Sequence, residues 1–392
     1  MIVTEKRVRQ QIHTVERLLQ EYVEEGGVPL TRFLTGFYKR NRQMGSKDRR
    51  MASRLVYHYF RLGAAAQREE VPVRLAMADF LCSNDSAVAS VILPQVYAHI
   101  QADLSEKISL LEANTTFRLQ DVFPFQQFLS AGIDRHAFLK SLFVQPDLYI
   151  RLRPSYRDEV MAALEATQIN YRIVDQYAVA LPNGTALDRI AGLTGKYEVQ
   201  DYSSQQTGAY FQATAGEHWW DACAGAGGKS LLLLDQSAGV NLLVSDTRRS
   251  ILRNLDERFD AAGIKSYRQK IIDLRNDTAT VLGDEQFDGI ILDAPCTGSG
   301  TWGRTPEMLS AFDSQAIGRF AELQRQLATR VIRHLKPGKP LIYITCSVYA
   351  EENERVMSYL QDTHGLHLQQ TALLHGYRHK ADSMFVARLI NR

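Results

Sequence analysis

The 392-residue sequence predicts an α/β protein, with a doubly wound, Rossmann-like sheet in its second half behind an all-α region and a small α+β module. Three observations carry this. No strand-and-turn alternation occurs before about residue 145, and helical periodicity is present instead. A short β-α-β-β pattern follows. From about residue 205, seven short apolar runs alternate with helical stretches. The expected domains are therefore residues 1–144, 145–204 and 205–392.

In the first domain, Ile12, Val15, Leu18, Leu19, Tyr22 and Val23 recur at three- and four-residue spacing, an amphipathic helical stripe. Gly26 and Gly27 end that helix, and Pro29 lies just beyond. Residues 51–60 repeat the pattern, and residues 73–81 repeat it less cleanly, with Leu75, Met77 and Phe80 as the apolar positions. In the module, residues 148–153 alternate like a strand and stop at Pro154. Ser155 with Asp158 resembles a capping box opening a helix through Val160, Leu164 and Ala166. Residues 171–174 and 178–181 return to strand-like composition.

The seven apolar runs of the third domain are residues 219–220, 242–244, 270–272, 289–292, 341–344, 366–368 and 384–387. The first five lead into Gly, Asp or Cys clusters. Ligands of doubly wound sheets sit at those carboxyl ends.

Composition narrows the classes further. Hydrophobic residues at 45% and charged residues at 23% are ordinary for a soluble globular protein, and a net charge of +2 is compatible with a local basic face. The four cysteines, Cys82, Cys223, Cys296 and Cys346, are too far apart for a disulfide framework or zinc ribbon, so a reducing, cytoplasmic setting is expected. Residues 1–11 are charged without an apolar core, and no stretch is long and apolar enough to span a bilayer. His364, His367, His375 and His379 match no common ligand spacing, and no metal is expected.

Chemistry enters at the strand ends. Asp221-Ala-Cys-Ala-Gly-Ala-Gly-Gly-Lys229 lies between a strand and a helix, where glycines admit a ligand close to the backbone. A P-loop would need Gly where Cys223 stands. A tight structural turn explains this segment equally well. Asp246, Asp273 and Asp293 then close the next three strands. Each alone suits a solvated terminus or helix cap. With Asp221 they make four in succession, which points to one crevice for a nucleoside-containing cofactor, with Asp246 placed to accept from a ribose diol. Asp293-Ala-Pro-Cys296 leaves the fourth strand, and Thr345-Cys346-Ser347 leaves the fifth. A cysteine is more often a small buried hydrophobe than a catalyst, yet both thiols fall on the ligand edge. A nucleophilic cysteine needs its thiolate, and Lys229 is a candidate to favour it.

With these motifs the sequence resembles the RsmB/Sun family of RNA 5-methylcytosine methyltransferases. The paired Pro-Cys and Thr-Cys motifs are the most diagnostic part. DNA cytosine methyltransferases lack the Thr-Cys thiol, and amino-group methyltransferases carry an Asn/Asp-Pro-Pro-Tyr motif that is missing here. Asp382-Ser-Met-Phe-Val-Ala-Arg388 is similar to the family's last, antiparallel strand, and residues 197–205 to the stretch before its catalytic domain. The likeness implies a seven-stranded methyltransferase domain binding S-adenosylmethionine through Asp221, Cys223, Ala224, Gly225, Ala226, Gly227, Gly228, Lys229, Asp246, Asp273 and Asp293. Two departures stand out. The family loop reads Cys-Ala-Ala-Pro-Gly-Gly-Lys, and loss of its proline should loosen the turn. Ile251 occupies the place of a family arginine, for which Arg248, Arg249 or Arg253 could substitute.

The first domain is similar, more weakly, to the NusB-like helical domain of RsmB-type members, through residues 44–50 and Leu55-Val-Tyr-x-x-x-Arg61. Between Arg32 and Arg54 stand eight basic residues against one acid, Asp48. Lys39, Arg40, Arg42, Lys47, Arg49 and Arg50 are the candidate RNA contacts, although such a run also suits a solvated face. The α+β module resembles the family's RNA-recognition-like extension. The resemblance implies methyl transfer to C5 of a cytosine, most readily in 16S ribosomal RNA. Cys346 would attack C6, Cys296 would assist release, and Asp293 would hydrogen-bond the base. A monomer without metal or membrane is expected. The rival expectations are a transfer RNA substrate and a non-catalytic ribosome-assembly factor.

Overall fold

The computed structural model describes residues 5–123 and 125–392, so the first four residues of the charged N-terminal stretch lie outside it. The chain forms two compact units. One comprises Met1–Gln127, Asp134–Gln145 and Trp302–Asp313; the other comprises Phe128–Ile133, Pro146–Thr301 and Ser314–Arg392. Three domains were expected, with a boundary at 204/205, yet no division between compact units falls there. The α+β module shares a unit with the large sheet.

The first unit is helical, with helices at Glu5–Glu25, Leu30–Arg40, Ser46–Arg61, Val71–Cys82 and Leu104–Asn114 among others. Val8, Ile12, Val15, Leu18 and Leu19 form the buried stripe of the first helix. Val23 is not part of it and stands 77% exposed, in the last turn before Gly26 and Gly27 take positive φ. Residues 75–81 are buried on every side of their helix, which explains their blurred periodicity. Arg61 is fully buried and donates to the carbonyls of Leu142 and Gly303 and to Gln145 Oε1. Trp302 packs its ring against Phe123 and Phe312, so residues 302–313 complete this unit's core.

In the second unit, strands β1 (Leu148–Leu152), β2 (Arg172–Ile173), β3 (Ala178–Leu181) and β4 (Tyr197–Val199) form an antiparallel sheet in the order β2-β3-β1-β4. One face packs Ile150, Leu152, Val179 and Leu181 on Val160 and Leu164. The other is also covered, because Arg151 and Arg153 both pair with Asp235 of helix Gly228–Gln236. The capping box is not formed. Pro154 opens a 3-10 turn over Pro154–Tyr156, which places Ser155 inside the turn, and helix Arg157–Ala166 starts with Tyr156 at its cap and no side-chain cap bond.

The large sheet contains β5 (His218–Asp221), β6 (Asn241–Asp246), β7 (Arg268–Ile271), β8 (Gly289–Asp293), β9 (Pro340–Thr345), β10 (His367–Leu374) and β11 (Met384–Ile390). Their order is β10-β11-β9-β8-β5-β6-β7, with β5 to β9 parallel and β11 antiparallel to both neighbours. This is the Rossmann-like, seven-stranded α/β fold expected. Helices Gly228–Gln236 and Arg249–Ala261 cover one face, and Gln315–Ile332 and Glu354–His364 the other. The third strand stops at Ile271, so Asp273 lies two residues beyond it. β10 runs longer than its apolar run because an edge strand tolerates Gln369, Gln370 and Thr371. Strand order reverses between β5 and β8, where a crevice opens at the carboxyl ends. Among the described residues, no helix is long and apolar enough to cross a membrane.

Candidate active site

The loop after β5 begins with a buried acid. Asp221 is fully buried, its Oδ2 accepts from Ser230 Oγ at 2.6 Å, and its Oδ1 has no partner. Burial raises its pKa to about 7. Asp221 thus ties the loop to the following helix and does not line the crevice.

Gly225 and Gly227 adopt φ of +53° and +82°. A Cβ on Gly227 would stand 2.7 Å from the Phe259 ring and 2.9 Å from Leu255, so only glycine fits. The absent proline does not leave the loop free. The carbonyl of Ala226 accepts from Arg258 Nη1 at 3.0 Å, the Gly225 amide donates to Asp246 Oδ2 at 3.2 Å, and the Ala224 amide donates to the Ser245 carbonyl at 2.9 Å. Arg258 is itself held by buried Glu198 of β4, which couples the module to the loop.

A cavity of about 590 Å³ opens at the strand ends, lined by Cys223, Asp246, Arg248, Asp273, Asp293, Cys296 and Cys346, with Ile272 and Leu274 as apolar wall. Ala224, Gly225, Ala226, Gly227, Gly228 and Lys229 support this cavity without lining it. Asp246 accepts from the backbone and guanidinium of Arg248, which is the arginine found beside that acid; Arg249 and Arg253 are exposed. Asp273 pairs with Arg275 at 2.7 Å, a bond that holds its carboxyl below the usual range. Burial pushes the Cys223 thiol up, which makes it a wall and not a nucleophile.

Lys229 Nζ donates to Asp293 Oδ2 at 2.9 Å. The expectation that this lysine supports a thiolate is therefore redirected: its hydrogen-bond partner is the acid that ends β8. Cys296 and Cys346 do meet, with their sulfurs 3.2 Å apart and both side chains half-buried. The two thiols share one hydrogen bond, which either sulfur can donate. That bond first, then burial, then the charges of Cys346 and Glu352, push the Cys296 pKa well above the ordinary value. Two thiolates so close repel each other, so the pair resists losing both protons.

Sequence reasoning passed over Glu352 and Asn353. Glu352 is fully buried and accepts from Thr297, Ser347 and Gln324; Asn353 joins Thr345 to the Ser347 carbonyl. The available signal was a hydroxyl residue directly after each cysteine.

In the helical unit, the six candidate RNA contacts divide. Arg40 pairs with Glu21 and Glu25, and Arg49 donates to the Met44 and Arg42 carbonyls beneath Tyr38. Lys39, Arg42, Lys47 and Arg50 are exposed. A polar groove of about 610 Å³ in this unit is lined instead by Lys6, Arg7 and Arg17, which the basic run did not include. Among the described residues, no cluster of three or more His, Cys, Asp or Glu is arranged to hold a metal.

Residues 209–390 match the model of a family described as 16S rRNA methyltransferase RsmB/F. Ribosomal RNA small subunit methyltransferase B of Enterobacter sp. (strain 638) is 32% identical over 233 residues, covering 58% of this chain and 54% of that protein. Its counterpart from Klebsiella pneumoniae is 30% identical over 290 residues, covering 70% and 64%. The chain thus spans between about half and two thirds of these curated relatives. The crystal structure of PH0851 superposes with a TM-score of 0.70 at 20% identity, over 100% of this chain and 99% of that one.

Proposed function

We propose, from the match of residues 209–390 to the RsmB/F methyltransferase family model, that the chain is a member of that family and methylates C5 of a cytosine in 16S ribosomal RNA, using S-adenosylmethionine and a covalent Cys346 adduct. The observation that carries this is the pair of sulfurs 3.2 Å apart in the cavity that Asp246 also lines.

The residues present fit the cofactor. The cavity of about 590 Å³ suits a ligand of nucleoside size. Asp246 ends β6 where a ribose diol can donate to it, and Asp273 lines the same cavity. When bound, S-adenosylmethionine supplies an electrophilic methyl group.

Cytosine C5 is a weak nucleophile, and the protein must activate it. The Cys346 thiolate adds to C6, and the electron pair displaced from the C5–C6 bond makes C5 enamine-like while N3 takes a proton. Asp293, charge-balanced by Lys229, holds the base edge during this step. After methylation a base takes the C5 proton, the freed electron pair re-forms the C5–C6 double bond as the C6–sulfur bond breaks, N3 gives back its proton, and Cys346 leaves as thiolate. Cys296 assists that release. A paired base cannot present C6 to a thiol, so the target is single-stranded or unstacked. The protein acts as a cytoplasmic monomer, and the exposed bases Lys39, Arg42, Lys47 and Arg50 contribute phosphate contacts.

The test is transfer of radiolabelled methyl to unmodified 16S rRNA, with the product mapped by bisulfite sequencing. Label appearing at cytosine C5 supports the reading. Label entering transfer RNA alone moves the substrate, and no transfer with intact RNA binding favours an assembly factor.

A further inference from the structure

We propose that Glu352 is a positioning residue shared by the two cysteines, its buried carboxylate holding the Cys296 and Cys346 loops at their reacting distance; this rests on the cytosine-5 reading above. Both loops donate to Glu352, two hydrogen bonds from one and one from the other. Thr297, the residue after Cys296, donates its amide to Glu352 Oε2 at 2.9 Å and its hydroxyl to Oε1 at 2.6 Å. Ser347, the residue after Cys346, donates its hydroxyl to the same Oε1 at 2.6 Å. The residues before the cysteines are tied to the same assembly. Gln324 Nε2 donates both to the Pro295 carbonyl and to Glu352 Oε2, each at 3.0 Å. Thr345 Oγ1 donates to Asn353 Oδ1 at 2.6 Å, and Asn353 Nδ2 donates to the Ser347 carbonyl at 2.9 Å. Each thiol is thus gripped from both sides.

A neutral scaffold would serve if only packing were needed. A buried carboxylate is costly, and no cation pairs with this one among the described residues, so its donors must stabilise it. Those donors come from the backbone and side chains that carry the sulfurs. Its charge also acts on Cys296, one of the causes that keep the proton on that thiol. Burial pushes the Glu352 carboxyl up, and the hydrogen bonds from Ser347, Thr297 and Gln324 offset part of that rise. Release and attack use different sulfurs, and the two hydroxyls that reach Glu352 lie on different loops. Removing them separately should therefore give different failures.

The experiment uses the full chain with unmodified 16S rRNA and S-adenosylmethionine, reading single-turnover methylation, covalent adduct on denaturing gels, and melting temperature. Thr297→Val should slow release and accumulate adduct at least about tenfold over the native protein. Ser347→Ala should slow adduct formation by about tenfold without accumulation, as expected when a reacting group is displaced by a fraction of an ångström. Glu352→Gln, which puts a donor where an acceptor is needed, should lose in both steps. KM for RNA should stay within about twofold throughout, as for interactions acting after binding. The proposal is overturned if Thr297→Val and Ser347→Ala leave adduct partition unchanged, whether activity is retained or falls only in step with melting temperature. If Glu352→Gln does not fold, these two variants carry the test. Failure of the underlying reading is separate: it shows as methyl transfer that survives Cys346→Ala.

Discussion

Lys229 Nζ lies 2.9 Å from Asp293 Oδ2, which assigns the lysine to the acid at the end of β8 and not to either thiol. Lys229→Met should leave Asp293 without its cation, destabilise the fold by ~1–3 kcal/mol and lower methyl transfer by at least ~10-fold. Alkylation of the cysteines by iodoacetamide at fixed pH should not change. A marked slowing of alkylation would place the lysine back beside a thiolate.

The cysteine pair makes a sharper prediction. Cys346→Ala should abolish turnover without trapping RNA, whereas Cys296→Ala, supplied with cofactor, should accumulate a protein–RNA adduct that survives denaturing gels. Trapping by Cys346→Ala instead would exchange the two roles.

Gly227 is the tightest point of the loop after β5. Gly227→Ala meets both a positive φ and the Phe259 ring, and should cost ~2–4 kcal/mol in urea unfolding. Gly225→Ala meets open space and only the φ penalty, so ~1 kcal/mol is expected. Equal losses would show that sterics at Phe259 do not matter.

Asp221 gives a pH dependence with a definite sign. Burial lifts its folded pKa to about 7 from an ordinary 3.8, so the folded state holds a proton that the unfolded chain releases. Its contribution to stability is complete below pH 3.8 and declines until about pH 7. Asp221→Asn should flatten this decline and be more stable than the native protein at pH 8, by roughly 1–4 kcal/mol. Parallel stability curves for the two proteins between pH 4 and 8 would refute the assignment.

Much of this site could be read from local pattern. Asp246 and Asp293 end their strands, and Cys296 and Cys346 meet, because parallel strands deliver their carboxyl ends to one edge. The shortfalls have a common origin in contacts between distant segments. Asp221 looked like a fourth crevice acid, but Ser230 draws it under the loop. Glu352 gains its meaning only when the loop of Thr297, over fifty residues earlier, folds against it. The module looked separable until Arg151 and Arg153 met Asp235, more than eighty residues on. Ser155 failed as a cap for a local reason, since Pro154 sets a 3-10 turn first.

The chain passes from Cys296 to Trp302 in six residues, and with Trp302 it enters the core of the helical unit. Synthesis from the N-terminus therefore cannot finish that unit early. Until Trp302–Asp313 has been made, Phe123 lacks the Trp302 ring and buried Arg61 lacks the Gly303 carbonyl. By then β5 to β8 have already been made. The helical unit is thus not a cassette that a fragment ending at Gln145 would contain whole, since its last segment is encoded after four strands of the large sheet.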